Sequence, residues 1–243
     1  MYEPREYRSR VRAPDLVAAR VTEGESDLLI LSSVDVGAAA ARALAACRWQ
    51  LSEYIAAHPR FASALCPIDV DEGAPGIVLE MAAAARAAGV GPMAAVAGAV
   101  AGFVGRRAAP EGADVIVENG GDIYIRSGAP RRVGLFARDS PLCGRLTLAV
   151  APELTPCGIC TSSGTVGHSM SLGRADAAVV IAPSAALADA VATAACNRVQ
   201  SPGDVGPAAE WVRGVEGAAG ALVVMGSAMA AWGCVELVEQ PAE

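Results

Sequence analysis

VIVENGGDIYI, residues 115–125, carries the sharpest structural signal in the chain. Apolar, largely β-branched residues flank Asn119-Gly120-Gly121, and such a tripeptide supplies the positive backbone φ that a tight hairpin turn demands. Two strands joined by that turn are therefore expected over 114–118 and 122–126, with further strands over 132–136 and 144–150. Upstream, LLILS at 28–32 reads as a strand, and 36–57 as a long helix with alanines, leucines, Trp49 and Ile55 on its apolar stripe, ended by Pro59. The polar turn DVDEGAP leads into a helix over 76–88, and a Gly-Val-Gly-Pro break restarts a helix over 93–104. Downstream come a strand over 176–181, a helix over 185–199 with Ser184 as its N-cap, a short helix over 208–215, and strands over 221–225 and 234–238. Helices at one end, consecutive strands in the middle and a returning helix give α+β rather than an alternating parallel sheet.

No stretch rich in Ser and Pro or in charge interrupts the 243 residues long enough to be a linker, so one domain over 1–243 is expected. The formal net charge of -7 leaves no electrostatic footprint for nucleic acid. All 19 basic residues are arginine, which excludes Schiff-base lysines and Walker-type phosphate lysines together. Seven irregularly spaced cysteines do not make a disulfide framework. The charged start MYEPREYRSRVR has no apolar run behind it and does not read as a signal peptide, so a cytoplasmic location is expected. The uncharged run 87–105 holds the pair Gly98 and Gly102, but Pro92 and its many Ala and Gly residues suit a buried, closely packed helix better than a membrane span.

Three segments can carry chemistry. In the hairpin, Asn119, Gly120 and Gly121 offer close backbone approach to a phosphate or ribityl chain, and Asp122 can accept from ligand hydroxyls; an ordinary turn is the plain alternative. In CGICTSSGTVGH, residues 157–168, the hydroxyls of Thr161, Ser162 and Ser163 with Gly164 lack an apolar partner, so a loop offering amides and hydroxyls to an anion competes with a polar surface turn. His168 can act as a base or donate to a phosphate. Cys157 and Cys160 form a lone CxxC with no second pair, a weak zinc or redox signal. Third, Asp189 and Thr193 are four apart on one face of an alanine-rich helix. A buried carboxylate there costs several kcal/mol without a partner, by rough estimate. A hard cation such as Mg²⁺ would satisfy it together with the threonine, while exposure to solvent or the capping of a neighbouring loop is the alternative.

The combination ENGGD at 118–122, TSSG at 161–164 and ADAVAT at 188–193 resembles the ApbE family of FAD-dependent protein flavin transferases, and more nearly its UPF0280-type branch, through GVGPMAAVAGA at 89–99, ENGGDIY, CTSSGTVGHS, YREY-like residues near the start and HPRF at 58–61. The resemblance spans nearly the whole chain and implies a single-domain ApbE-like fold with central antiparallel or mixed sheets flanked by helices. It implies FAD and Mg²⁺ as cofactors and transfer of the FMN moiety to a threonine hydroxyl of an acceptor protein, or cleavage of the FAD pyrophosphate; a non-catalytic flavin- or nucleotide-binding protein is the alternative. By motif, Asp189 and Thr193 would bind metal with a backbone carbonyl near 93–98; Asn119, Gly120, Gly121, Asp122, Thr161, Ser162, Ser163 and Gly164 would line the nucleotide site; His168 or Asp122 would be the catalytic base. A homo-oligomer is compatible with this, and no membrane partner is expected. Two departures stand out: the lysine of the family's GGIAKG-like stretch is absent from AAVAGA at 94–99, and the family's HIxxPxTG segment has no counterpart after Gly164.

Overall fold

The computed structural model describes residues 8, 11, 13–135, 137, 140–141, 143–144, 146–164 and 172–239. Along the chain these form β1 (Val17–Glu23), β2 (Ser26–Ser32), α1 (Gly37–Ala57), α2 (Arg60–Ser63), α3 (Gly76–Ala88), α4 (Val96–Ala108), β3 (Val115–Asn119), β4 (Asp122–Arg126), β5 (Arg131–Gly134), β6 (Leu146–Val150), β7 (Cys157–Ser162), β8 (Ala177–Ala182), α5 (Ala185–Asn197), α6 (Val205–Arg213), β9 (Gly220–Met225), β10 (Ala228–Gly233) and β11 (Glu236–Glu239). Eight strands make one sheet in the order β1-β2-β3-β4-β7-β8-β9-β10, and β11-β6-β5 make a second. Every strand pair is antiparallel, which resolves the antiparallel-or-mixed expectation.

The period-two alternation of side chains sorts the large sheet into two cores. Val115, Val117, Tyr124, Cys160, Val180 and Val223 face the helices. Ile125, Cys157, Ile159, Val179, Ile181 and Leu222 face the small sheet with its Leu148 and Val150. The order is thus helices, large sheet, small sheet. Helix α5 is covered along its whole length, and its alanines and those of α4 let backbones approach closely. A Cβ at Gly98 would collide with the Ala185 carbonyl and the Asp189 side chain of α5, and one at Gly105 with the Tyr124 ring, so the small residues of 87–105 serve helix–helix and helix–sheet packing. Among the described residues no single helix is long and apolar enough to cross a membrane; α3 with the Pro92–Ala108 segment passes only as a pair bent by 105°.

Several expectations need correction. Trp49 is not on the buried stripe of α1 but 65% exposed; Leu44, Cys47 and Leu51 form that stripe. Strands β1 and β10 had no sequence expectation. The polar reading of 157–164 is overturned for its first part: Cys157–Ser162 is a central strand, buried at Cys157, Gly158, Ile159, Cys160 and Ser162, and only Ser163 and Gly164 lie beyond it. Small side chains fit there because α5 lies so close that a Cβ at Gly158 would strike the Ala185 backbone. The helix expected from 93 begins as a 3₁₀ turn, Pro92–Ala95, before α4.

Candidate functional site

The β3–β4 turn is formed by Gly120 and Gly121 alone, with φ of +70° and +105°, between the paired residues Asn119 and Asp122. Only glycine adopts both angles without strain, which is why the sequence turns here. Asn119 and Asp122 share parity with Val117 and Tyr124, so both point toward the helices, and on the neighbouring β7 Ser162 shares parity with Cys160 and points the same way. Asn119, Asp122 and Ser162 are buried, at 8%, 8% and 4% exposure. Among the described residues, Asp122 Oδ1 and Ser162 Oγ are buried with no hydrogen-bond partner.

Helix α5 brings Asp189 and Thr193 to this corner; among its buried residues they are the two polar ones. Asp189 Oδ2 accepts from the Gly98 amide at 2.9 Å, and Asn119 Nδ2 donates to the Ala97 carbonyl at 3.1 Å. Gly98 is in the first turn of α4, where backbone amides lack intrahelical partners and the helix dipole favours negative charge. The partner demanded by a carboxylate among alanines is therefore, in part, the N-terminus of another helix. That contact spans 91 residues of sequence and was invisible without the fold.

Two buried acids meet here, and burial works against the charge of each. Burial pushes the Asp122 carboxyl well above its usual range, and the Asp189 charge adds to the effect; the Cys160 thiol and Thr161 amide offset only part of it. Burial likewise raises Asp189, to about 7, against the pull of the Gly98 and Ala97 amides. Burial, with Asp122 and Asp189 nearby, also holds the Cys160 thiol far above its usual value, and its Sγ lies 3.3 Å from the Ala185 carbonyl, which shares the thiol's single proton with Asp122. Cys160 is thus a neutral thiol beneath the acids and not a nucleophile.

The fold therefore gathers Asn119, Asp122, Ser162 and Asp189 on the helix side of the sheet at the glycine turn, with buried Thr193 one turn further along α5; there Gly120 is exposed and Thr161, Ser163 and Gly121 are partly so. Gly164, also exposed, follows β7 and donates its amide to Ala175. His168 lies outside the described residues. The Gly121 amide is not free for a phosphate, because it donates to Glu118 Oε1 at 3.0 Å. Cys157 and Cys160, three apart on a strand, face opposite cores, so the CxxC cannot converge on one ion. Tyr124 is 3% exposed and packs against α4 rather than offering a ring to a flavin. No group of three or more His, Cys, Asp or Glu side chains among the described residues can hold a metal, so a cation here would draw on hydroxyl or backbone oxygens besides the two carboxylates. An open depression of about 360 Å³ lined by Ala149, Leu154, Val235 and neighbours sits at the small sheet, away from every residue of this corner.

The fold is that of the ApbE-like proteins. The Pseudomonas stutzeri flavinyl transferase ApbE, in its apo form, superposes with a TM-score of 0.53 at 15% identity, covering 89% of this chain and 94% of that one. The ApbE protein of Thermotoga maritima gives 0.54 at 13% identity over 86% of this chain and 94% of that one. At the level of sequence, the family model described as AbpE bacteria matches residues 8–211. A UPF0280 protein of Methanosphaerula palustris is 43% identical over 197 residues, 81% of each chain. The chain belongs to the ApbE-like superfamily, within its UPF0280 branch.

Proposed function

We propose that the chain binds a flavin nucleotide such as FAD, or a closely related nucleotide, at the corner formed by the Asn119–Asp122 turn, the end of β7 and Asp189 of α5. The observation that carries this is the pair of buried, partnerless oxygens, Asp122 Oδ1 and Ser162 Oγ, beside a second buried carboxylate. An unsatisfied buried polar atom costs about 1–3 kcal/mol, a cost that a bound ligand's donors or a cation would relieve. Asn119, Thr161, Ser163 and Gly164 would contact the nucleotide, and Asp189 and Thr193, with Asp122 alongside, would hold Mg²⁺. The set fits that ion: its donors are oxygens, and its carboxyls, raised by burial, would gain a counter-charge from a bound cation. When bound, Mg²⁺ would neutralise phosphate charge.

Turnover is the second reading, favoured by the two neighbouring buried acids and by the name of the P. stutzeri neighbour. In it an acceptor hydroxyl, from a protein or from water, attacks the FMN phosphorus, the pyrophosphate bond breaks and AMP leaves. Asp122, a buried carboxyl held well above its usual range and therefore more basic than an exposed aspartate, takes the hydroxyl proton; His168 is the other candidate. Calorimetric titration of ligand-stripped protein with FAD, with and without Mg²⁺, tests the binding reading. Heat of binding that depends on Mg²⁺ supports it, and no binding in either condition overturns it. Assay of the same solution for AMP and FMN decides between binding and turnover.

A further inference from the structure

Arg8 belongs to the arginine-rich start of the chain, which the site has so far left unused. Its side chain is 13% exposed and grips two acids on the face of the sheet opposite the helices. Nε donates to Glu118 Oε2 at 2.6 Å, Nη1 to Asp27 Oδ1 at 3.0 Å and Nη2 to the Asp27 carbonyl at 2.8 Å. The other oxygen of the same Glu118 carboxylate, Oε1, accepts from the Gly121 amide at 3.0 Å. One carboxylate thus joins an arginine 110 residues away in sequence to the glycine turn that sets the direction of Asp122. A planar guanidinium fixes a carboxylate's orientation where a lone ammonium would let it rotate, and a fixed carboxylate fixes the amide it receives.

We propose that Arg8 is a positioning residue for the nucleotide site: through Glu118 it clamps the Gly121 amide, holds the Gly120-Gly121 turn in its positive-φ form, and so aims Asp122 at the ligand from the far side of the sheet. This rests on the binding reading for its functional half only. Asn119 is tied separately to α4 through the Ala97 carbonyl, so among the described residues the turn is anchored on both faces of the sheet, and Arg8 supplies the anchor most remote in sequence.

The test measures amide hydrogen exchange at Gly121 by NMR on the ligand-free full chain, and the affinity for FAD with Mg²⁺, in Arg8→Gln, Glu118→Gln, the double variant and Arg20→Gln. Arg20 grips the same Asp27 through two hydrogen bonds and controls for general loosening of the acid cluster. Arg8→Gln and Glu118→Gln should each speed Gly121 exchange about tenfold, the size set by a charge-assisted hydrogen bond, and weaken FAD binding by a similar factor. The double variant should be no worse than Glu118→Gln alone, and Arg20→Gln should leave Gly121 exchange near that of the wild type. Unchanged exchange in Arg8→Gln, or an equal effect of Arg20→Gln, overturns the proposal. If Arg8→Gln does not fold, Glu118→Gln carries the same comparison. Loss of exchange protection in a chain whose wild type binds no FAD sinks the flavin reading and leaves the Arg8 clamp standing.

Discussion

The β3–β4 hairpin has an aspartate at each end, and the two live in opposite conditions. Asp114, just before β3, is part-buried, and burial works against its charge. The Gly128 amide, Arg131 and Ser127 outweigh that and pull its carboxyl below the usual range. At the turn end Asp122 is buried with one oxygen partnerless and is pushed well above that range. Depth of burial and the count and sign of partners together separate them. A carboxylate that the chain itself saturates is architecture, and one left short of donors beside another acid is where an outside ligand has something to offer.

The hardest way to break this contrast is at Asp189. Asp189→Ala should lower Mg²⁺-dependent FAD affinity by about a hundredfold or more, since a buried charged partner is worth roughly 2–5 kcal/mol to binding. An unchanged titration isotherm would return the Asp122 corner to the status of the Asp114 end. Second, the two aspartates should respond to the same mutation with opposite signs. Asp114→Asn should destabilise the ligand-free chain by about 1–3 kcal/mol in urea melts at pH 8, because it uncouples Arg131, while Asp122→Asn should leave stability unchanged or raise it by about 1 kcal/mol.

Third, pH should separate the ends. Asp189 is raised from 3.8 to about 7, so its contribution to stability is fully present below 3.8 and is lost as pH rises through about 7. Asp114 is lowered, so its contribution is present above 3.8 and is lost as pH falls through its folded value. Melting temperature of the metal-free chain should therefore decline between pH 5 and pH 8, each 1 kcal/mol showing as roughly 2–4 °C. Asp189→Asn should reduce that decline, leaving only the part that Asp122 contributes, and a slope as steep as the wild type's would break the assignment. The smallest effect is expected at Ser162: Ser162→Ala removes a buried hydroxyl with no partner and should raise the stability of the ligand-free chain by about 1 kcal/mol, the desolvation cost relieved, read by the same urea melts.

Much of this corner was legible beforehand, for local reasons. Asn119-Gly120-Gly121 dictates its turn by backbone sterics alone, the helix over 76–88 was delimited by Pro75 and Gly89, and Ser184 caps α5 through the Leu187 amide as its side chain suggests. What escaped was set by neighbours. Strands β1 and β10, at the edges of the large sheet, carry alanine, arginine and glycine that mark no strand by themselves; they are strands because β2 and β9 offer them an edge. Strand β7 looked like a polar turn because its small residues answer to the proximity of α5. Asp189 and Thr193 were visible as a pair on one helical face, but neither the α4 terminus nor Asp122 could be placed against them from spacing. Trp49 went astray because α1 has alanines on several sides, so its periodicity leaves the buried face weakly marked.

The connectivity also orders how the molecule is made. Strands of the large sheet follow one another in space as they do along the chain, apart from the excursion through β5 and β6, so each can dock on its predecessor while synthesis proceeds. The small sheet has no such convenience: β6 must wait for β11, which is made after every other strand among the described residues. Until then the apolar face of β4, β7, β8 and β9 has only β5 and β6 for a cover, and the nascent chain's exposure to chaperones and to its own kind is concentrated on that side.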